Sequence, residues 1–317
     1  YEAPLIRNPI DRIGLVLLVV WVGALQLMLD EGKNLDWFAS VEIVGLALVA
    51  AVGLIAFLIW ELHDPHPIVD LRVFRHRGFS VSVLTISLAF AAFFAINVLT
   101  PLWLQSFMGY TSALAGQATA WTGVFAVLVA PLAAGLSAKV DPRRLVFGGV
   151  VLMGLVTLWR IGATTDMDYW SISMPLMVMG LGLPFFFIPL TGLAMGSVDE
   201  NEMANAAGLM NFLRTLSGAF ATSLVTTVWD DDITRQHAEL VGVADADHSV
   251  QTFLESTGLS PDAVLQNLDG LITGQSVMLA TNQIFWLVGI AFLVAASVIW
   301  LAPKPTRKVD PAAAGGH

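Results

Sequence analysis

Apolar residues run along this chain in eight long blocks, at about 13–29, 43–60, 79–104, 112–138, 145–163, 171–196, 203–229 and 276–302. The breaks between them carry turn residues or charge, as in DEGKNLDW, ELHDPHPIVDLRVFRHRG, KVDPRR, TTDMD and SVDENE. Helices of a water-soluble core keep a polar face, and these blocks mostly have none. A bilayer core of about 30 Å takes roughly 20 apolar residues as helix. Every block meets that length, the first two only just. The pattern therefore predicts an all-α integral membrane protein with about eight transmembrane helices.

Composition agrees: 56% of the residues are hydrophobic and 13% charged, against about 25% charged in soluble domains. With no cysteine, neither a disulfide framework nor a thiolate metal site is available. A net charge of -10 without a basic stripe argues against nucleic acid as a partner. The first residue is Tyr1 and no basic–apolar–cleavage pattern precedes the first block. We expect the natural start to lie upstream.

Orientation follows from the Lys/Arg bias of the connections. With residues 1–12 inside, the inner side collects Arg7, Arg12, Arg72, Arg75, Arg77, Lys139, Arg143, Arg144, Lys304, Arg307 and Lys308, against Lys33 and Arg235 outside. Both termini are thereby predicted to be cytoplasmic. Residues 63–78 form a cytoplasmic loop and 304–317 a disordered cytoplasmic tail. Residues 230–275 form an extracytoplasmic loop. Inside that loop Val264, Leu265, Leu268, Leu271 and Ile272 share one helical face after a Ser260–Pro261 start. This segment has two readings: a helix lying against the protein or the headgroups, and a docking site for a periplasmic adaptor protein.

No catalytic, metal or cofactor constellation stands out. HExxH, Walker-type GxxxxGK[ST] and GxSxG motifs are all absent. His63, His66 and His76 fall in a charged connector and are expected to be solvated. No Asp, Glu or His lies at the centre of a block; Asp30, Glu42 and Glu61 come only at block ends. Proton relays through membranes need an ionisable group at depth, so this chain alone lacks the parts for proton coupling.

Arg160 and Arg214 are the basic residues within blocks, and Arg214 is about 11 residues from either end of its own. A charge at the bilayer centre costs about 2.5–3.5 kcal/mol on insertion scales, so it belongs in a bundle interior or a watery cavity. Around it Ala207, Gly208, Asn211, Thr215, Gly218 and Thr222 recur at three- and four-residue spacing, a small and polar stripe that lets helices approach. Arg214 is thus expected to face inward, either pairing with helix carbonyls or lining a solute path. Asn97, Gln105, Trp121 and Asn282 are further polar positions at depth, each open to an interhelical hydrogen bond or a ligand contact. Pro184 and Pro189 enclose Phe185, Phe186 and Phe187. Prolines bend membrane helices where neighbours satisfy the freed carbonyls, which leaves these rings lining a cavity or facing lipid.

LQLMLDEGKNLDWFAS, PIVDLRVFRHRGFS and AAGLMNFLRTLSGAFATSL together resemble the EmrB/QacA-type multidrug exporters, fourteen-span members of the major facilitator superfamily. The resemblance implies that residues 13–62 are the two extra linker helices. It makes 79–303 the six-helix C-terminal half, itself two inverted three-helix repeats, with the N-terminal half absent from this chain. It further implies proton-driven export of small amphipathic drug-like solutes by alternating access. Asn97, Gln105, Trp121, Phe185, Phe186, Asn211, Arg214 and Asn282 are then candidates for the cavity. The superfamily's loop signature G-x-x-x-D-R-x-G-R-R reads GLSAKVDPRR here. Gly135, Arg143 and Arg144 match as gating-loop candidates, whereas Lys139, Val140 and Pro142 depart from it, which puts a gating salt bridge there in doubt. The alternative is a non-transporting membrane scaffold for partner docking.

Overall fold

The computed structural model describes residues 11–65, 67–164, 166–246, 252, 256 and 260–304. Among the described residues, eight α-helices carry the fold: α1 (Arg12–Glu31), α2 (Val41–His63), α3 (Arg77–Ser106), α4 (Ser112–Ser137), α5 (Pro142–Trp159), α6 (Tyr169–Gly196), α7 (Met203–Ala246) and α8 (Pro261–Val298). Their starts follow local chemistry. Asp11, Ser40, Thr111, Asp141, Asp168 and Ser260 each turn a side-chain oxygen onto a backbone N–H of the first turn, satisfying one of the donors a helix start leaves free. Pro142 and Pro261 follow two of these caps, where a missing N–H costs nothing.

Seven of the helices are long and apolar enough to cross a membrane; α7 is the other. It carries Asn211, Arg214, Thr215, Ser217, Thr222 and Ser223 along its interior, which lowers its hydropathy. It nevertheless packs along α3 and α8, both of which qualify.

Helices α3–α8 pair in a symmetric pattern. The α4·α6 contact is matched by α7·α3, and α5·α6 by α8·α3, while α3·α6 and α5·α8 each pair with themselves. Those are the contacts required when a twofold relation exchanges α3–α4–α5 with α6–α7–α8. Three traverses per unit make the two repeats run in opposite senses. The one break is that α7·α8 contact has no counterpart of similar extent between α4 and α5. At the α5·α6 crossing Gly149 and Gly182 face each other. A Cβ on either would lie 2.8 Å from the other's carbonyl oxygen, so both must be glycine for the backbones to come this close.

Helices α1 and α2 form an antiparallel pair seated on α7. Trp21 meets Phe57 of α2 and Phe212 of α7 at 6.1 and 5.9 Å between ring centroids. Ser223 Oγ donates to the Leu29 carbonyl at 2.8 Å, and Lys33 Nζ lies 2.5 Å from Asp230.

Three sequence expectations change. The segment 230–275 is mostly helix: α7 runs on to Ala246 and α8 already begins at Pro261. At 1.5 Å per residue, the 44 residues of α7 and the 38 of α8 are about 66 and 57 Å long, well beyond a 30 Å hydrocarbon core. The surface helix expected after Ser260 is therefore the first part of α8, with Val264 buried and Leu265 and Leu271 exposed. Glu61, at a helix end as expected, is nonetheless only 2% exposed: its Oε2 accepts from the Val69 N–H at 3.1 Å and its Oε1 has no partner. The three connector histidines do not gather. His63 Nδ1 lies 2.8 Å from the Ile59 carbonyl, His76 meets Glu202, and His66 lies outside the described residues. The tail expected over 304–317 also lies outside them, apart from Lys304.

Candidate solute-binding site

Helices α3, α6 and α7 converge on Arg214. Its guanidinium carbon lies 5.1 Å from the Phe90 ring centroid and 5.2 Å from that of Phe187. A guanidinium beside aromatic faces gains about 0.5–2 kcal/mol from the ring quadrupoles, most where water is excluded. That explains how a cation is held here without a carboxylate. None of the ion pairs among the described residues includes Arg214, and its buried Nε has no hydrogen-bond partner. One turn on, Gly218 admits Phe94, whose ring would stand 3.3 Å from a Cβ there.

These contacts reveal a parallel register between α3 and α7. Phe90 lies against Arg214, Phe94 against Gly218, and Phe107 against Trp229 at 5.7 Å between centroids. On α3 the same stripe continues through Asn97 and Gln105 at three- and four-residue steps, and both are exposed. Their amides turn back onto their own helix, Asn97 Nδ2 to the Phe93 carbonyl at 2.9 Å and Gln105 Nε2 to the Pro101 carbonyl at 3.1 Å. Asn211 is exposed on α7, one turn before Arg214. The small-residue stripe of α7 thus divides: Gly218 packs, whereas Gly208, Asn211 and Thr215 are uncovered.

The other candidates lie elsewhere. Phe186 is fully buried in the core, and Phe185 is half-buried with its backbone against Gly149. Phe187 is the ring of that run that reaches Arg214. Three consecutive residues on a helix point about 100° apart, so only one of them can meet a given neighbour. Trp121 donates to the Tyr169 hydroxyl at 3.0 Å in a cluster with Phe125 and Trp170. Asn282 Nδ2 donates to the Ala163 carbonyl at 3.2 Å, tying α8 to the α5–α6 connection. Phe90 and Phe187 are the contacts that sequence reasoning did not single out; their aromatic runs, FAAFF and PFFFIP, were the available signal.

The gating-loop candidates separate in the same way. Gly135 has open space around it and Arg144 is exposed. Arg143 is buried, donating to the Asp141 carboxylate at 2.9 Å and to the Ala302 carbonyl at 3.0 Å, with Trp300 5.9 Å from its guanidinium carbon. The carboxylate missing at Lys139 is thus present two residues later. Its partner is next door in sequence, and the long-range bond goes to the end of α8. Nearby, Arg75 and His76 of the α2–α3 connection meet Glu202 of the α6–α7 connection at 2.7 and 2.9 Å, and Arg75 lies 3.5 Å from Asp199. His76, Asp199 and Glu202 are close enough to share one metal ion, but Arg75 already pairs with both carboxylates.

Residues 13–222 match the model of the Major Facilitator Superfamily. The chain is 40% identical to the multidrug export protein EmrB of Haemophilus influenzae, over 96% of this chain and 61% of that protein. It is 37% identical to EmrB of Escherichia coli, over 94% and 59%. It is also 37% identical to the fatty acid resistance protein FarB of Neisseria gonorrhoeae, over 100% and 62%. The chain spans about three fifths of the length of these relatives.

Proposed function

This chain belongs to the major facilitator superfamily, and on that premise we propose that it is the linker-helix and C-terminal part of a proton-driven multidrug efflux transporter. The single observation that carries the reading is the Arg214 clamp. A half-buried cation held by Phe90 of α3 and Phe187 of α6 lies one turn from exposed Asn211, on a face that continues along α3 to the exposed amides of Asn97 and Gln105. Aromatic faces suit the apolar body of a drug-like solute, and the amides and guanidinium suit its polar end. Alternating access would come from rocking of this half against an N-terminal half around that face.

Proton coupling is assigned to carboxylates of the N-terminal half. Supporting this, Arg214 is the charge on the proposed path, and the buried acids among the described residues lie off it: Glu61 at the end of α2 and Asp232 on α7 beyond the apolar block. On the Lys/Arg bias the α2–α3 and α4–α5 connections face the cytoplasmic side of a bacterial inner membrane, and the acidic α6–α7 connection follows by alternation of the spans.

The length of α7 and α8 beyond the hydrocarbon core favours a second role, docking of a periplasmic adaptor protein on their outer ends. The test is efflux by the complete transporter carrying Arg214→Ala or Arg214→Lys. Loss in the alanine variant with partial retention in the lysine variant is expected; unchanged efflux in both would sink the cavity assignment. Efflux surviving deletion of the helical ends while adaptor capture is lost would establish docking as a separate function.

A further inference from the structure

A second buried cation lies far from Arg214. Arg160 caps the C-terminal end of α5 and is 6% exposed, more deeply enclosed than any other described Lys or Arg. Its Nη2 donates to Thr100 Oγ1 of α3 at 2.9 Å, and its guanidinium carbon stands 4.2 Å from the Phe285 ring centroid of α8. The negative pole at a helix C-terminus favours a cation there. The other terminal nitrogen, Nη1, has no hydrogen-bond partner, and no ion pair among the described residues includes Arg160.

Arg160 is in the wall of a cavity of about 470 Å³ at the α5–α6 connection. Trp103 is in the same wall, 1% exposed, and its indole Nε1 also has no partner. Guanidinium and indole N–H groups are donors only. Burying such a donor without an acceptor costs about 1–3 kcal/mol, more when it is charged. Two unsatisfied donors around one cavity therefore call for an oxyanion.

The rest of the wall is apolar, including Met167, Ile172, Met174 and Pro175, with Ser171 as the further hydroxyl. Trp159 and Met174 are 61% and 55% exposed at its rim, and neighbouring Trp170 is 53% exposed. Exposed tryptophans at the end of a spanning helix belong to the headgroup level of a bilayer. The cavity volume lies within the roughly 300–1,000 Å³ of small-molecule sites.

The geometry points to an anionic-phospholipid site: the phosphate oxyanion accepts from Arg160 Nη1 and Trp103 Nε1, and the start of an acyl chain lies along Ile172, Met174 and Trp159. The site is on the α5/α8 side and is separate from the Arg214 clamp.

The test is thermal unfolding of the purified chain in detergent micelles titrated with phosphatidylglycerol, phosphatidylcholine or oleate. Phosphatidylglycerol is expected to raise the wild-type melting temperature above the phosphatidylcholine control. Arg160→Met replaces an unpaired buried charge by an apolar side chain of similar length, which is commonly neutral or stabilising. That variant should fold without lipid and lose the phosphatidylglycerol increment. Trp103→Phe keeps the ring and removes the N–H, and should weaken the apparent Kd roughly tenfold. An equal shift with both phospholipids, or an undiminished increment in Arg160→Met, would overturn the proposal. Stabilisation by oleate with none by phosphatidylglycerol would overturn the lipid assignment.

Discussion

Gly149 on α5 and Gly182 on α6 face each other so closely that a methyl group on either would strike the other's carbonyl oxygen at 2.8 Å. This crossing joins the last helix of one three-helix unit to the first of the other. It is one of the close crossings that join the two repeats, and it has a sharp internal control. Gly148, one residue earlier, has no atom within 4 Å of an added Cβ.

Gly149→Val should therefore destabilise the folded chain by about 1–3 kcal/mol, the usual range for overpacking, and Gly148→Val should not through packing. Thermal denaturation of the two variants in the same detergent checks this. Equal melting temperatures would mean that the crossing can relax.

The Arg143 side chain donates to Asp141 and holds its carboxyl below the ordinary aspartate value of 3.8. A depressed folded-state value adds stability that is fully present above the unfolded value and is lost as pH falls through the folded one. Asp141→Asn keeps a capping acceptor and should lower the melting temperature at neutral pH through the lost ion pair with Arg143. The gap from wild type should close below about pH 4. A gap that is constant over that range would show that the carboxylate charge adds nothing.

At the proposed solute face, Phe187→Leu and Phe185→Leu separate neighbouring rings of one run. Only Phe187 stands over the Arg214 guanidinium. Leucine there removes a cation–aromatic contact of about 0.5–2 kcal/mol, so efflux by the complete transporter should fall several-fold with Phe187→Leu and change little with Phe185→Leu. Equal effects would remove the clamp from the mechanism.

Ser260 accepts from the Ala263 N–H at the start of α8. Ser260→Ala should cost about 1 kcal/mol of local helix stability. Hydrogen exchange should quicken over 263–266 and stay unchanged near Phe285, where the helix is buried. Unchanged exchange in the first turn would show that the cap is dispensable.

Most of the fold was legible because apolar length is a strong cue: each of the eight blocks lies in a helix, and six of them match its ends within a few residues. The continuation of α7 and α8 past the blocks was not legible in the same way. Residues 230–246 and 261–275 are too polar for a span, and they gain helix by following a segment already wound, where each added residue needs no new nucleus. Asn97, Asn211 and Arg214 stand out in the sequence because polarity at depth is conspicuous. Phe187 was not distinguished from Phe185 and Phe186, since three identical residues in a row carry no phase. In the sequence Arg160 shows only as a basic residue within its block, and Glu61 only as an acid at a block end. Burial at a helix end depends on which neighbours close over it, and Trp103 and Phe285 come from distant parts of the chain.

The three rungs between α3 and α7 restrict how these helices can move. A one-turn slip would bring Thr222 in place of Gly218 against Phe94 and carry Trp229 away from Phe107, so axial sliding meets a steric stop. The two helices must swing together as one plank. Because this chain contributes no native thiol, cysteines engineered into both helices would be its only ones: a bridge across the plank should leave transport by the complete transporter running, whereas one from α3 to an element outside it should jam the cycle.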